Sequence, residues 1–357
     1  MKKSLMTLAL LGAFAGVAHA ETSVTIYGVL DAGFVKRNDQ TLTIGKRDNN
    51  RLGFKGVEDL GGGLKALFQL ETRFEPDTGT NESTTRPFWQ GQSRVGLQGD
   101  FGTIRIGRGL TALQETATFY DPWHGLPSVT GFHADVMVAG LNSDPSSGAG
   151  NSGNRHSNAV FYNSPEVNGF SVFADMATKE ANGSVAIVGR GTAAAPQYAA
   201  NAEGSTNPFS IAGQYKSGQL NAFIAYERNA IETKATMLGA SVQANADVKL
   251  MASYTKLDME HTKAFDSTVK AWVIGAHVNY GPGKFLLGYG QKSPEGLAKT
   301  KQFSLGYEYS LSKRTYLYVD ATNKKGDTPS RANDAVTQKA RAAVDFRAYS
   351  LGILHNF

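Results

Sequence analysis

The chain has 357 residues, 40 glycines, no cysteine and a formal net charge of +5. Zero cysteine excludes a disulfide scaffold and thiolate metal sites, and so weak a basic balance argues neither for nucleic acid nor for an acidic partner. After residue 20 no apolar run approaches the roughly 18–20 residues that a bilayer-spanning helix needs, which leaves a soluble β-rich exported protein or a transmembrane β-barrel.

Residues 1–20 read as a secretory signal. Lys2 and Lys3 open it, Leu5 to Val17 form an apolar stretch, and Ala18-His19-Ala20 is an A-x-A cleavage site. Removal of this segment leaves 21–357 as a single mature unit and, with Lys2 and Lys3 gone, lowers the charge from +5 to +3.

The first strand is expected from Val24. Val24, Ile26, Gly28, Leu30, Ala32 and Phe34 fall on one face, and Thr25, Tyr27, Val29, Asp31 and Gly33 on the other. A one-residue step flips faces in a strand, so this is one apolar and one mixed, partly polar face. The alternation recurs where Leu64, Ala66, Phe68 and Leu70 oppose Lys65, Gln69, Glu71 and Arg73. It returns where Phe303, Leu305, Tyr307 and Tyr309 oppose Gln302, Ser304, Gly306 and Glu308. In the last strand Tyr349, Leu351, Ile353 and Phe357 oppose Ser350, Gly352 and Asn356.

Soluble sandwiches share such strands, but three features favour a membrane. Many segments are long enough for a tilted spanning strand of about 9–11 residues. Aromatics such as Tyr27, Phe74, Tyr280 and Phe357 stand near strand ends, where interfacial girdles belong. Connections alternate between tight and long. Tight turns fall at 59–63, 99–102, 163–166, 216–219, 243–245, 281–283 and 310–313, and long polar loops at 37–43, 75–87, 109–156, 179–207, 229–233, 259–267, 292–299 and 324–345. Seven turns and eight loops imply sixteen strands. An even count puts both termini on the short-turn side, where the first and last strands close an antiparallel transmembrane β-barrel. Closure is required because hydrocarbon tolerates no open sheet edge, and this strand number leaves a water-filled lumen.

The resemblance rests on motifs in order along the chain. They are Ser23-Val24-Thr25-Ile26-Tyr27-Gly28, Arg51-Leu52-Gly53-Phe54-Lys55-Gly56 and Glu58-Asp59-Leu60-Gly61-Gly62-Gly63-Leu64-Lys65-Ala66, then Val95-Gly96-Leu97 and Phe101-Gly102-Thr103-Ile104-Arg105-Ile106-Gly107-Arg108, and finally Asn163-Ser164-Pro165, Leu311-Ser312-Lys313-Arg314-Thr315 and terminal Phe357. With these the chain resembles the Gram-negative general porins of the β-proteobacterial type over essentially its whole mature length. The resemblance implies an outer-membrane homotrimer whose third external loop folds inward to narrow each pore. It also implies that Tyr349, Leu351, Ile353 and Phe357 are a signal read by the outer-membrane assembly machinery. One departure concerns a lumenal Arg that family members often carry shortly before Val-Gly-Leu; here the stretch reads Trp89-Gln90-Gly91-Gln92-Ser93-Arg94.

Inward parity in the first strands holds Arg51, Lys55, Lys65, Arg73, Arg94 and Arg105 against Asp31 and Glu71. Solvation of a wet lumen accounts for any one of them. Together they form a basic arc, and rings of charge are how pores discriminate ions. The third loop carries Glu115, Asp121, Asp135 and Asp144 with His124 and His133, so its acids are expected to face the wall cations. Candidate constriction residues are therefore Arg51, Arg73, Arg94, Arg105, Glu71, Asp121 and Asp135. Arg108 shares parity with Ile104 and Ile106, so the strand is expected to end or bulge before it, because a guanidinium at bilayer depth is expensive.

No G-x-S-x-G, H-E-x-x-H, phosphate loop or G-x-G-x-x-G follows a strand, which disfavours an enzyme. His124, His133 and Asp135 are too sparse for a metal site, and no cofactor is expected. The reading is a passive channel for small hydrophilic solutes and ions, weakly anion-preferring, in the outer membrane of a Gram-negative bacterium. Its alternatives are a pore selective for one anion or sugar and, more distantly, a structural or adhesive barrel. Inward positions carrying mainly Lys, Arg, Gln, Ser and Gly favour the general channel over a sugar pore.

Overall fold

The computed structural model describes residues 22–38, 40–83, 86–144, 153–180, 185–192, 195–200, 206–259, 268–295, 298–326 and 345–357. The expected signal lies outside them. In chain order the strands are β1 (Ser23–Arg37), β2 (Thr43–Gly45), β3 (Arg51–Gly61), β4 (Leu64–Arg73), β5 (Gln92–Gly99), β6 (Gly102–Leu110), β7 (Arg155–Asn163) and β8 (Phe170–Ala177). A small hairpin, β9 (Val185–Thr192) with β10 (Ala195–Ala200), follows. Then come β11 (Phe209–Ser217), β12 (Leu220–Arg228), β13 (Lys234–Gln243), β14 (Val248–Asp258), β15 (Thr268–Tyr280), β16 (Gly283–Pro294), β17 (Thr300–Ser310), β18 (Thr315–Lys325) and β19 (Phe346–Asn356).

Sixteen of these form a closed antiparallel barrel: β1, β3 to β8 and β11 to β19. Each pairs with its chain neighbour, β8 pairs with β11 across the hairpin, and β19 pairs with β1 from Val29↔Asn356 to Arg37↔Ala348. At the seam Gly28 N donates to Phe357 O at 3.0 Å and Phe357 N to Gly28 O at 3.1 Å. The Phe357 ring lies over Gly28, where a Cβ would stand 2.9 Å from Phe357 Cε1. Gly28 is thus a covered position.

The alternation holds on the outward face. Val24, Ile26, Leu30, Phe34, Ile104, Ile106, Tyr349, Leu351 and Ile353 are exposed there. Their inward neighbours divide into two arcs. From β3 to β6 the inward side chains are mainly basic and polar. From β11 to β16 many are apolar and buried, among them Ala212, Phe223, Met237, Leu257, Val273 and Leu286. The expectation of a mainly polar inward face therefore needs correction for that second arc, and the third loop is the reason.

Two segments enter the lumen. Residues 46–50 leave the sheet between β2, which pairs with the upper part of β1, and β3. Asp31 gathers them, accepting from Arg47 N at 2.8 Å and Asp48 N at 2.5 Å, while Tyr318 Oη donates to its other oxygen at 2.7 Å. The second segment is the third loop, which runs from β6 to β7. It begins with a short helix, α1 (Ala112–Ala117), continues through a 3₁₀ turn at Thr118–Tyr120, and later forms a π-helical turn at His133–Met137.

Candidate functional site

Loop 3 is fixed to the wall by its root, its apolar face and its charges. At the root, Thr111 caps α1, its Oγ1 accepting from Gln114 N at 3.3 Å and donating to Glu227 Oε2 at 2.6 Å. Asp175 Oδ1 accepts from Ala112 N at 2.6 Å and Ser210 Oγ from Leu113 N at 2.9 Å. First-turn amides that a helix cannot bond internally are thus met by wall side chains. His156 Nδ1 lies 2.5 Å from Asp175 Oδ2, tying the returning strand to the same carboxylate.

Leu113, Ala117, Tyr120, Trp123, Phe132, Val136 and Met137 then form one buried cluster with the apolar arc of β11 to β16. Full burial of each large member is worth about 1.5–3 kcal/mol. Tyr120 stacks on Phe223 with centroids 4.4 Å apart. Glycines make the cradle for the rest. A Cβ at Gly288 would overlap the Phe132 ring, and one at Gly306 would stand 3.2 Å from Trp123 Cζ2.

Charge completes the attachment. Asp135 pairs with Lys292 and Lys324. Burial alone would raise its pKa, but the two ammonium groups outweigh burial and hold it at about 2. Arg47, fully buried, pairs with Glu308 at 2.8 Å and Asp320 at 3.1 Å and lies 5.0 Å from the Tyr318 ring centroid. Asp320 in turn accepts from Trp123 Nε1 at 3.3 Å and Thr130 Oγ1 at 3.4 Å, both on the loop.

Against this stands the expected opposition of loop acids to wall arginines. Asp121 does not take part in it. Its carboxylate is buried inside the loop, accepting from Trp123 N at 3.2 Å and Gly125 N at 2.8 Å, and burial pushes its pKa up to about 7. Asp135 faces lysines of β16 and β18 instead. The loop acid within electrostatic reach of Arg94 and Arg105 is Glu115. Asp144 stands in the same relation to Arg108.

The wall arginines are unequally compensated. Arg51 pairs with Asp48 at 3.1 Å, and Arg73 has Glu71 at 3.8 Å and Glu82 at 4.0 Å. Glu71 also accepts from Tyr27 Oη at 3.2 Å. Arg94 donates twice to the neutral Gln69 Oε1, at 3.1 and 3.0 Å. Arg105 has no ion pair or hydrogen bond to its side chain among the described residues. Among the wall arginines the uncompensated charge therefore concentrates on β5 and β6, and Lys55 of β3 adds to it.

Beside the loop root lies a cavity of about 210 Å³, bordered by Arg73, Arg86, Arg108 and Arg155 with Glu82 as its acid. Arg108 borders it because the strand bulges at the expected place. The β6–β7 register slips between Gly107 and Gly109, and Gly107 has φ +132°. This bulge turns Arg108 inward, where it donates to Gln90 O at 3.0 Å and to Ser157 Oγ at 2.5 Å. Sequence reasoning passed over Arg47, Lys292, Lys324 and Asp320. Lys46-Arg47-Asp48-Asn49-Asn50, five polar residues breaking the alternation, was the available signal for Arg47.

Three comparisons bear on this arrangement. Residues 7–329 match the model of a family described as Gram-negative porin. Among curated relatives, outer membrane porin protein 32 of Delftia acidovorans is 30% identical over 379 residues, covering 100% of both chains. Major outer membrane protein P.IB of Neisseria lactamica is 30% identical over 90% of this chain and 93% of its own. Among solved structures, an anion-selective porin from Comamonas acidovorans superposes with TM-score 0.72 and 24% identity over 94% of this chain and 100% of that one. OmpT of Vibrio cholerae, in a trimer form, gives 0.65 and 13% over 94% and 99%.

Proposed function

Since the chain belongs to the Gram-negative porin family, an outer-membrane diffusion channel for small hydrophilic solutes and ions, we propose that its pore prefers anions weakly and that Arg94 and Arg105 set the sign. The carrying observation is the asymmetric seat of loop 3. It packs on β11 to β18, its Asp135 is neutralised by two lysines and its Asp121 is enclosed, so Glu115 alone among these acids meets the open basic arc. Arg51 and Arg73 contribute less, because Asp48, Glu71 and Glu82 offset them.

Zero-current potentials across planar bilayers in a KCl gradient test this. Arg94→Ser and Arg105→Ser should each move the potential toward cations, more than Arg51→Ser or Arg73→Ser. With a Debye length of about 10 Å at 0.1 M and about 3 Å at 1 M, the preference should shrink as salt rises. A potential indifferent to both Arg94 and Arg105 removes the assignment.

Three further expectations follow. The protein assembles as a homotrimer, which is supported by trimeric structures of like fold; migration only as a monomer in mild detergent counts against it. Residues 1–20 are removed on export, so amino-terminal sequencing should begin at Glu21. Tyr349, Leu351, Ile353 and Phe357 form the assembly signal. Deleting Phe357 should lower the assembled fraction without changing synthesis, and full assembly of the shortened chain would contradict that role.

A further inference from the structure

The lumen wall of β3 to β6 is not uniformly polar. A pocket of about 150 Å³ lies in it, bounded by Lys55, Val57, Leu67, Gln69, Arg94 and Arg105. The register explains its shape. Lys55, Gln69 and Arg94 stand side by side across β3, β4 and β5, and Val57, Leu67, Gly96 and Arg105 form the next row across β3 to β6. Val57 and Leu67 therefore make an apolar floor facing water, bordered on two sides by cations. At Gly96 a Cβ would meet Arg105 Cγ at 2.9 Å, so the missing side chain lets the arginine stem lie across that edge of the floor.

The cations at this pocket have spare capacity. Gln69 occupies Arg94 Nε and Nη2. Lys55 Nζ lies 5.6 Å from the Tyr27 ring centroid, and among the described residues neither it nor the Arg105 guanidinium has an acceptor. A half-buried leucine and valine on a wetted wall gain nothing from simple hydration, whereas an apolar body laid on them leaves water.

We infer that this pocket is a subsite for monocarboxylates with an apolar body, such as aromatic carboxylates, held by the carboxylate on Arg105 and Lys55 and by the body on Leu67 and Val57. This rests on the anion-preferring reading and gives it a solute class. A small carboxylate such as acetate engages only the cations. A larger one adds contact with the floor, and so dwells longer in the lane opposite Glu115.

The experiment uses the full mature protein in planar bilayers at fixed KCl, titrated with benzoate or acetate. Benzoate should reduce the chloride current saturably, with a half-blocking concentration roughly tenfold below that of acetate, the ratio expected when about half of a phenyl ring's surface leaves water. Leu67→Asn and, separately, Val57→Ser should bring the benzoate value toward the acetate value. Arg105→Gln should weaken both. Equal block by the two anions, or a tenfold preference that survives Leu67→Asn and Val57→Ser, overturns the subsite. The zero-current potential keeps the readings apart. A cation-preferring pore removes the parent proposal, whereas anion preference without discrimination between the two carboxylates removes only this one.

Discussion

Replacing Arg47 with Met tests whether loop 3 is held by the strand break that precedes β3. Arg47 is buried between two carboxylates, Glu308 at 2.8 Å and Asp320 at 3.1 Å. Removing one member of a buried ion pair costs about 3–5 kcal/mol, because a charge is left without its partner. Here both acids keep some compensation. Glu308 retains Lys284 at 3.0 Å, and Asp320 retains Trp123 Nε1 at 3.3 Å, Thr130 Oγ1 at 3.4 Å and Ser350 Oγ at 3.3 Å. The expected loss is therefore at the lower end, about 3 kcal/mol. Asp320→Asn removes the second charge, so Arg47→Met with Asp320→Asn should cost less than the two single changes together by about 1–2 kcal/mol. Denaturant unfolding in detergent micelles, followed by tryptophan fluorescence, measures the cycle. Single-channel recordings add a readout of the loop itself, since loss of the Asp320 anchor should increase current noise. Strict additivity, together with quiet channels in Asp320→Asn, would refute the claim that Arg47, Asp320 and Trp123 act as one unit.

The Asp135 clamp makes a pH prediction whose sign follows from its direction. Its pKa lies at about 2, below the ordinary carboxylate value, so its stabilisation is complete above about pH 4 and drains as pH falls through 2. Conductance should accordingly show no step between pH 8 and pH 4 that Asp135→Asn abolishes; such a step would mean the clamp is weaker than its two lysines imply. Gly288→Val should drive Phe132 and Trp123 off the wall and narrow the open lane, lowering conductance by about twofold or more, as expected when overpacking displaces a close-packed contact. Unchanged conductance in a folded Gly288→Val channel would show that the cradle does not set the position of the loop.

The fold was legible because it obeys one rule repeated along the chain. Wherever outward residues meet an apolar environment and inward ones meet water, alternation is enforced, and β1, β17 and β19 display it plainly. Arg108 was legible for the same reason: a cation on the apolar parity demanded a bulge, and Gly107 provides it. The site was legible only in part. Which strands carry inward cations follows from parity, but which of those cations remain uncompensated depends on how segments outside the sheet fold back on them. Asp48 neutralises Arg51 only because residues 46–50 turn into the lumen, and periodicity carries no information about a segment that leaves the sheet. Asp121 and Asp135 look alike in sequence. One is spent on the amides of its own turn, and the other on lysines 157 and 189 residues away.

The seat of loop 3 explains why the lumen has two unlike walls. A loop carrying Trp123, Phe132 and Met137 cannot remain in water without a large hydrophobic cost, so it needs an apolar partner inside the barrel. Met237, Leu257, Val273, Leu286 and the glycine at 288 supply that partner on β13 to β16, where the strands are apolar inward as well as outward. The β3 to β6 wall offers only Val57 and Leu67 between cations, too little to compete. Apolar matching therefore decides which wall is covered, and the uncovered one is left to face the solute. In this architecture the charge preference of the lane follows from where the hydrophobic residues of the opposite arc lie. Placing Lys or Asp at Met237 or Val273 should then disturb selectivity as well as stability, although neither residue touches the open lane.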